Sequence, residues 1–268
     1  MPKTLFLVIF IWRIACQAAP QAVERRIRVN GHELFLRCTG TGVPVVILEA
    51  GLSDSTEVWG RVQELASDRT RVCSYDRLGN GKSGRAGRTR NPLEAVADLR
   101  ALLDKAGVPP PYVLVGHSYG GLLVRLFAHR YPTQVVGMVV VDSSHEGLTA
   151  PAGGASSVMM TREPLDLAAG FTSARQQAWH ADIPLLVLAR HRTVDELPPG
   201  VSDAVRQKIV SESDAEQNEL ARRSSQGKIR WISNASHYIQ RDQPETVANA
   251  IRQVLEEVSH LPARPQQK

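Results

Sequence analysis

The chain has 268 residues, 43% of them hydrophobic and 22% charged, a balance that excludes a disordered or fibrous protein and suits one large α/β core. The net charge of +5 is spread along the sequence with no aromatic interleaving and no nucleic-acid motif, so nucleic acid is excluded as a partner class. The densest basic stretch, with Arg77, Lys82, Arg85, Arg88 and Arg90, reads as a solvated loop or as a docking surface for an anionic group.

Residues 1–18 read as a signal peptide. Lys3 opens the segment, the apolar run 4–12 is too short to span a bilayer, and Ala15-Cys16-Gln17-Ala18-Ala19 offers small residues for cleavage after Ala18. Arg13 interrupts this pattern and argues against lipidation of Cys16. The mature chain is then 19–268, exported to a periplasm or medium with no stable membrane span. Its two cysteines, Cys38 and Cys73, form an even pair where disulfides are permitted.

Residues 23–29 alternate as an edge strand does, Asn30-Gly31 is a two-residue hairpin turn, and 32–38 returns with Leu34 and Leu36 on one face. The apolar run 43–48 is a buried strand leading into Glu49-Ala50-Gly51-Leu52-Ser53. A helix over 59–66 and a buried strand over 71–75 follow, then the glycine-rich loop 76–84 and an amphipathic helix over 92–106. Next come a strand over 111–116, a tight turn and a helix that Pro132 stops. A strand ends at Asp142, and 145–180 shows little periodicity, a short cap insertion that carries Met159 and Met160. The rest reads as a strand over 183–189, a polar-faced helix over 202–224, a strand over 229–232 and a closing helix over 244–258. Strands alternating with helices predict an α/β fold with a mostly parallel sheet covered on both faces.

The turn Gly116-His117-Ser118-Tyr119-Gly120-Gly121 has the pattern of a nucleophile elbow, in which small residues flank a serine lifted clear of the sheet. A serine hydroxyl needs a base, and His237 follows a short strand near the C-terminus, inside a Ser-Asn-Ala-Ser turn that can bring an imidazole over the strand ends. His117 lies inside the elbow, while His145, His180 and His191 lack a strand-end position. The base needs a carboxylate. Asp142 and Asp195 compete, and Asp142 is favoured because it stands closer to the end of its strand. The amides of Leu52 and Tyr119 are the expected oxyanion donors.

With Glu49-Ala50-Gly51-Leu52, Tyr75-Asp76-Arg77-Leu78-Gly79-Asn80-Gly81-Lys82-Ser83, the elbow, Val141-Asp142 and Ser236-His237-Tyr238 in this order, the chain resembles the α/β-hydrolase fold superfamily over residues 23–258. The resemblance implies an eight-stranded sheet with its second strand antiparallel, and a Ser-acid-His triad that needs no metal or organic cofactor. In that family the acid usually follows the seventh strand, about where Thr193 stands here; some members place it after the sixth, which matches Asp142. The family's strand order sets the second strand beside the fourth, and so implies a Cys38–Cys73 disulfide in an exported protein. The function implied is hydrolysis of a carboxylic ester or related small acyl compound. Cleavage of C–C or amide bonds, perhydrolase chemistry, and a ligand-binding module with little turnover are the alternatives. Epoxide hydrolases and dehalogenases are disfavoured, because those relatives carry an aspartate at the position of Ser118.

Overall fold

A computed structural model describes residues 21–147, 163–177, 179–197, 200 and 202–261. The expected signal peptide, Met159 and Met160, and most of the expected cap lie outside the described residues. Eight strands form one sheet in the order β1-β2-β4-β3-β5-β6-β7-β8. β1 (Val23–Val29) and β2 (His32–Thr39) are an antiparallel hairpin at one edge. Asn30 and Gly31 turn it with φ of 48° and 86°, the left-handed pair that a two-residue hairpin requires. β2 runs antiparallel to β4 as well, and from β4 onward every pairing is parallel.

The central strands are β3 (Val45–Glu49), β4 (Val72–Asp76), β5 (Tyr112–His117), β6 (Val135–Val141) and β7 (Leu185–Ala189), with β8 (Gly227–Trp231) at the far edge. The central strands are buried almost throughout, and β6 and β7 are near-continuous apolar runs, because helices cover both faces. Side chains alternate along each strand. Val45 and Ile47 join a core with α2 (Pro92–Lys105) and α3 (Tyr119–Arg130), whereas Val46 and Leu48 join one with α1 (Gly60–Ala66) and α7 (Pro244–Ser259). α2 starts as its sequence dictates: Asn91 caps it, Glu94 completes the capping box, and Pro92 occupies the first turn. The remaining helices are α4 (Leu167–Gln176), α5 (Asp203–Ala221) and the short α6 (Ile239–Asp242).

Three expectations need correction. The strand expected at 43–48 starts at Val45. Pro44 has no N–H for the ladder, whose first bond here runs from Val45 N to Pro111 O, and Val43 is 64% exposed. The stretch 145–180, which looked aperiodic, contains α4, capped by the Asp166 carboxylate on the Ala169 amide and resting on α3 and α2. The basic loop is no uniform solvated face. Arg77 is buried, and so is Arg90, paired with buried Asp98 at 2.8 Å; Lys82 lies over the Phe35 ring and meets Glu24. Chain order thus hides two arginines, Arg77 and Arg90, that packing turns inward against buried carboxylates.

Cys38 and Cys73 face each other across the β2–β4 ladder and form a disulfide. It closes a loop of sequence separation 35, which in a chain-entropy account stabilises the fold by about 4 kcal/mol.

Candidate active site

The C-terminal ends of β3, β5, β6 and β8 lie at one end of the sheet, and each leads into a part of the site. At the end of β5 the chain turns through Ser118 with φ 52° and ψ −122°, a conformation that costs a non-glycine residue on the order of 1–3 kcal/mol. The neighbours hold it there. Ser118 N donates to Val141 O, and Ser118 O accepts from the amides of Gly121 and Ser144, all near 3.0 Å. The two elbow glycines are small for different reasons. A Cβ on Gly116 would lie 2.6 Å from Gly120 O, across the turn, whereas one on Gly120 would meet the carbonyls of Glu49 and Ala50 in the neighbouring loop at 2.5 and 2.4 Å. Close approach of that loop, and not the turn alone, is what excludes a side chain at 120.

Asp142 sits directly beyond β6 with φ 40°, its amide tied to Leu188 O. Its Oδ2 accepts from His237 Nδ1 at 2.6 Å. That bond fixes the imidazole with its proton on Nδ1 and leaves Nε2 as the basic atom. The loop carrying His237 is pinned in turn: Ser236 N donates to the Asp242 carboxylate at 2.6 Å, and Gln243 Nε2 donates to Ser233 O at 2.7 Å. Ser118 and His237 are both half-buried. Among the described residues the Asp142–His237 bond is formed and a Ser118–His237 hydrogen bond is not; such contacts are often loose before substrate binds. Asp195, the competing acid, lies exposed in the short turn Val194–Glu196.

Leu52 is half-buried in the loop after β3, and Tyr119 opens α3. Neither amide donates to a backbone carbonyl among the described residues. The N-terminus of α3 adds the positive end of its dipole beside Tyr119.

Several residues around this site escape sequence reasoning. Arg190 donates from Nε to Asp142 Oδ2 at 3.0 Å and grips Glu196 with both terminal nitrogens at 2.6 Å. That grip holds the Glu196 carboxyl down to about 2. The loop after β7 therefore supplies a clamp on Asp142. Arg125 holds the next residues of the Asp142 loop, through Ser143 Oγ at 2.8 Å, Ser144 O at 3.0 Å and Glu146 at 2.9 Å. Its one signal in the sequence is a charge set inside the apolar run Leu122-Leu123-Val124-Arg125-Leu126-Phe127. A buried arginine must find acceptors, but nothing local says which.

His117 is also closer to the chemistry than its place inside the elbow implies. Its Nε2 lies 2.9 Å from His237 O, and since a carbonyl only accepts, Nε2 carries the proton. The ring packs 4.6 Å from that of His237. Burial, followed by the neighbouring His237, pushes the His117 imidazole down to about 3. Below about pH 6.5 the unfolded chain binds a proton at this position that the folded chain refuses. Stability therefore falls by about 1.4 kcal/mol per pH unit from this residue as pH drops toward 3. Denaturant titrations across the acidic range are expected to show a slope shallower by about one proton in His117→Gln than in the parent. Equal slopes would refute the neutral buried imidazole.

Known proteins share this architecture. A family model described as alpha/beta hydrolase fold matches residues 44–250. The uncharacterized protein YqjL of Bacillus subtilis is 27% identical over 232 residues, which cover 80% of this chain and 85% of YqjL. An AB hydrolase superfamily protein of Gibberella zeae is 39% identical over 107 residues, 38% of this chain and 33% of that protein. A thermophilic esterase from Thermogutta terrifontis, solved with malate bound, aligns with a TM-score of 0.65 at 21% identity, covering 88% of this chain and 99% of the esterase. At that identity the likeness is one of fold.

Proposed function

The chain belongs to the alpha/beta hydrolase fold family, and from the site it carries we propose that it is a serine hydrolase acting on a carboxylic ester or related acyl substrate. The observation that carries this reading is the 2.6 Å bond from His237 to Asp142, at the same end of the sheet as the strained Ser118. Ser118 Oγ attacks the acyl carbon while His237 Nε2 takes its proton. The carbonyl electron pair moves onto oxygen, where the amides of Leu52 and Tyr119 receive it. Collapse of the tetrahedral intermediate breaks the bond to the leaving alcohol, which takes the proton from His237 and leaves an acyl-enzyme. Water, deprotonated by His237, then repeats the addition and frees the acid and Ser118. Asp142 holds the tautomer throughout and stabilises the imidazolium without itself taking the proton.

The Cys38–Cys73 disulfide supports an exported enzyme, since such bonds persist in oxidising compartments. Among the described residues no helix is long and apolar enough to cross a membrane. The test is a panel of p-nitrophenyl esters running from acetyl to decanoyl. Saturable turnover on at least one member is expected. A folded protein that turns over none of them contradicts the ester reading.

A further inference from the structure

We infer that Arg77 is a positioning residue for the oxyanion hole: its buried guanidinium orients and polarises the Gly51–Leu52 peptide and so sets the strength of the Leu52 N–H as a donor. The inference rests on the serine-hydrolase reading above. Arg77 is 3% exposed and spends all five of its N–H groups. Nη1 donates to Glu49 Oε1 and to Ala50 O, the latter at 2.6 Å. Nη2 donates to Gly51 O at 2.5 Å and to Glu163 Oε2 at 2.8 Å, and Nε donates to Glu163 Oε1.

Burial obliges every N–H of the guanidinium to find an acceptor, and what bears on function is where the second and third of these bonds go. They fall on successive carbonyls of the loop that carries the oxyanion donor. Gly51 O and Leu52 N–H are the two ends of one peptide group. A cation hydrogen-bonded to the oxygen draws density from the nitrogen, and the N–H becomes a stronger donor to a developing negative charge. The rest of the loop is tied down around that peptide. Ser53 N donates to Glu163 Oε2 at 2.9 Å, Asp54 N donates to Gly51 O at 3.2 Å, and Asn80 Nδ2 bridges Asp54 O and Glu163 Oε2 at 3.0 and 2.7 Å. The Leu52 N–H makes no hydrogen bond with any described residue. A peptide clamped at its oxygen, with its flanking groups engaged, keeps its free N–H aimed without reorganisation when charge develops.

Arg77→Lys tests this, because an ammonium cannot span two carbonyls and two carboxylates at once. The readout is a pair of substrates, an ester and its thionoester, whose sulfur is a poor hydrogen-bond acceptor. In Arg77→Lys we expect kcat/KM for the ester to fall by about 10- to 100-fold, less than the roughly 10²- to 10³-fold that loss of a whole donor costs, and the thionoester to fall by less than about threefold. General damage to the site lowers both in parallel, and a parallel fall overturns the inference. Glu163→Gln keeps the guanidinium on both carbonyls and decides the matter if Arg77→Lys does not fold. Its ester-to-thionoester ratio should stay within about twofold of the parent. A collapse of the ratio there would put control in the carboxylate and overturn the role of Arg77. Fluorophosphonate labelling of the parent separates the two levels. An unlabelled Ser118 removes the serine-hydrolase reading and this inference with it, whereas a labelled Ser118 with an unchanged ratio in Arg77→Lys removes only the inference.

Discussion

Ser118→Ala is expected to lower kcat on the best p-nitrophenyl ester by about 10⁶, leaving only what binding and the oxyanion donors supply. The size of the loss follows from the parts acting as a unit. Without the hydroxyl, the imidazole that Asp142 holds at 2.6 Å has no proton to take and no intermediate to protonate. Stability should barely move, because the half-buried hydroxyl makes no hydrogen bond with a described residue and alanine keeps the strained φ of 52°. Ser118→Gly is the complement: equally inactive, but more stable by up to about 1–3 kcal/mol, because glycine adopts this backbone without strain. Steady-state kinetics and thermal unfolding read both. Residual activity in Ser118→Ala above about one part in a thousand would mean that another nucleophile carries the reaction.

Asp142→Asn should cost about 10⁴ in kcat. An asparagine in this place can offer its amide to His237 Nδ1, which shifts the imidazole proton to Nε2, the atom that must be free to accept one. It also strips Arg190 of one of its two carboxylate partners, Asp142 at 3.0 Å, and leaves Glu196 as the other. Asp195→Asn, in an exposed turn, should leave kcat within about twofold. Kinetics on the two variants side by side separates the competing acids. Should Asp195→Asn fail and Asp142→Asn survive, the assignment is reversed.

Much of this site is legible in the sequence, and the reason is local. Strand β5, the turn and helix α3 are one contiguous stretch, so the glycines and the serine, read together with the apolar run before them and the helix after, declare the elbow. Asn30-Gly31 declares its hairpin for the same reason, and the run 43–48 declares a buried strand, though two residues ahead of where it starts. The parts that spacing hides depend on contacts between distant positions. Arg77 reads as one more basic residue in a glycine-rich loop until the fold brings Glu163 to it across 86 positions. Arg190 follows β7 directly, ahead of Thr193 where the family's acid usually stands, and its meaning appears only when Asp142, just beyond the neighbouring strand β6, is found 48 positions away. His117 misleads for a different reason. A side chain at the end of a buried strand looks turned away from the site, but the loop after β8 folds over it and makes its ring a support for His237. Each of these residues pairs a buried polar group with a partner that no local pattern names.

Underneath lies one claim, that a strained serine is a working nucleophile. The most direct measurement is peptide mapping by mass spectrometry after treating the native protein with a fluorophosphonate, in parallel with a heat-unfolded sample. The account predicts a single stoichiometric adduct on Ser118 in the native protein, lost on unfolding and strongly slowed in His237→Ala. An adduct on any other serine, or none under native conditions, would contradict it.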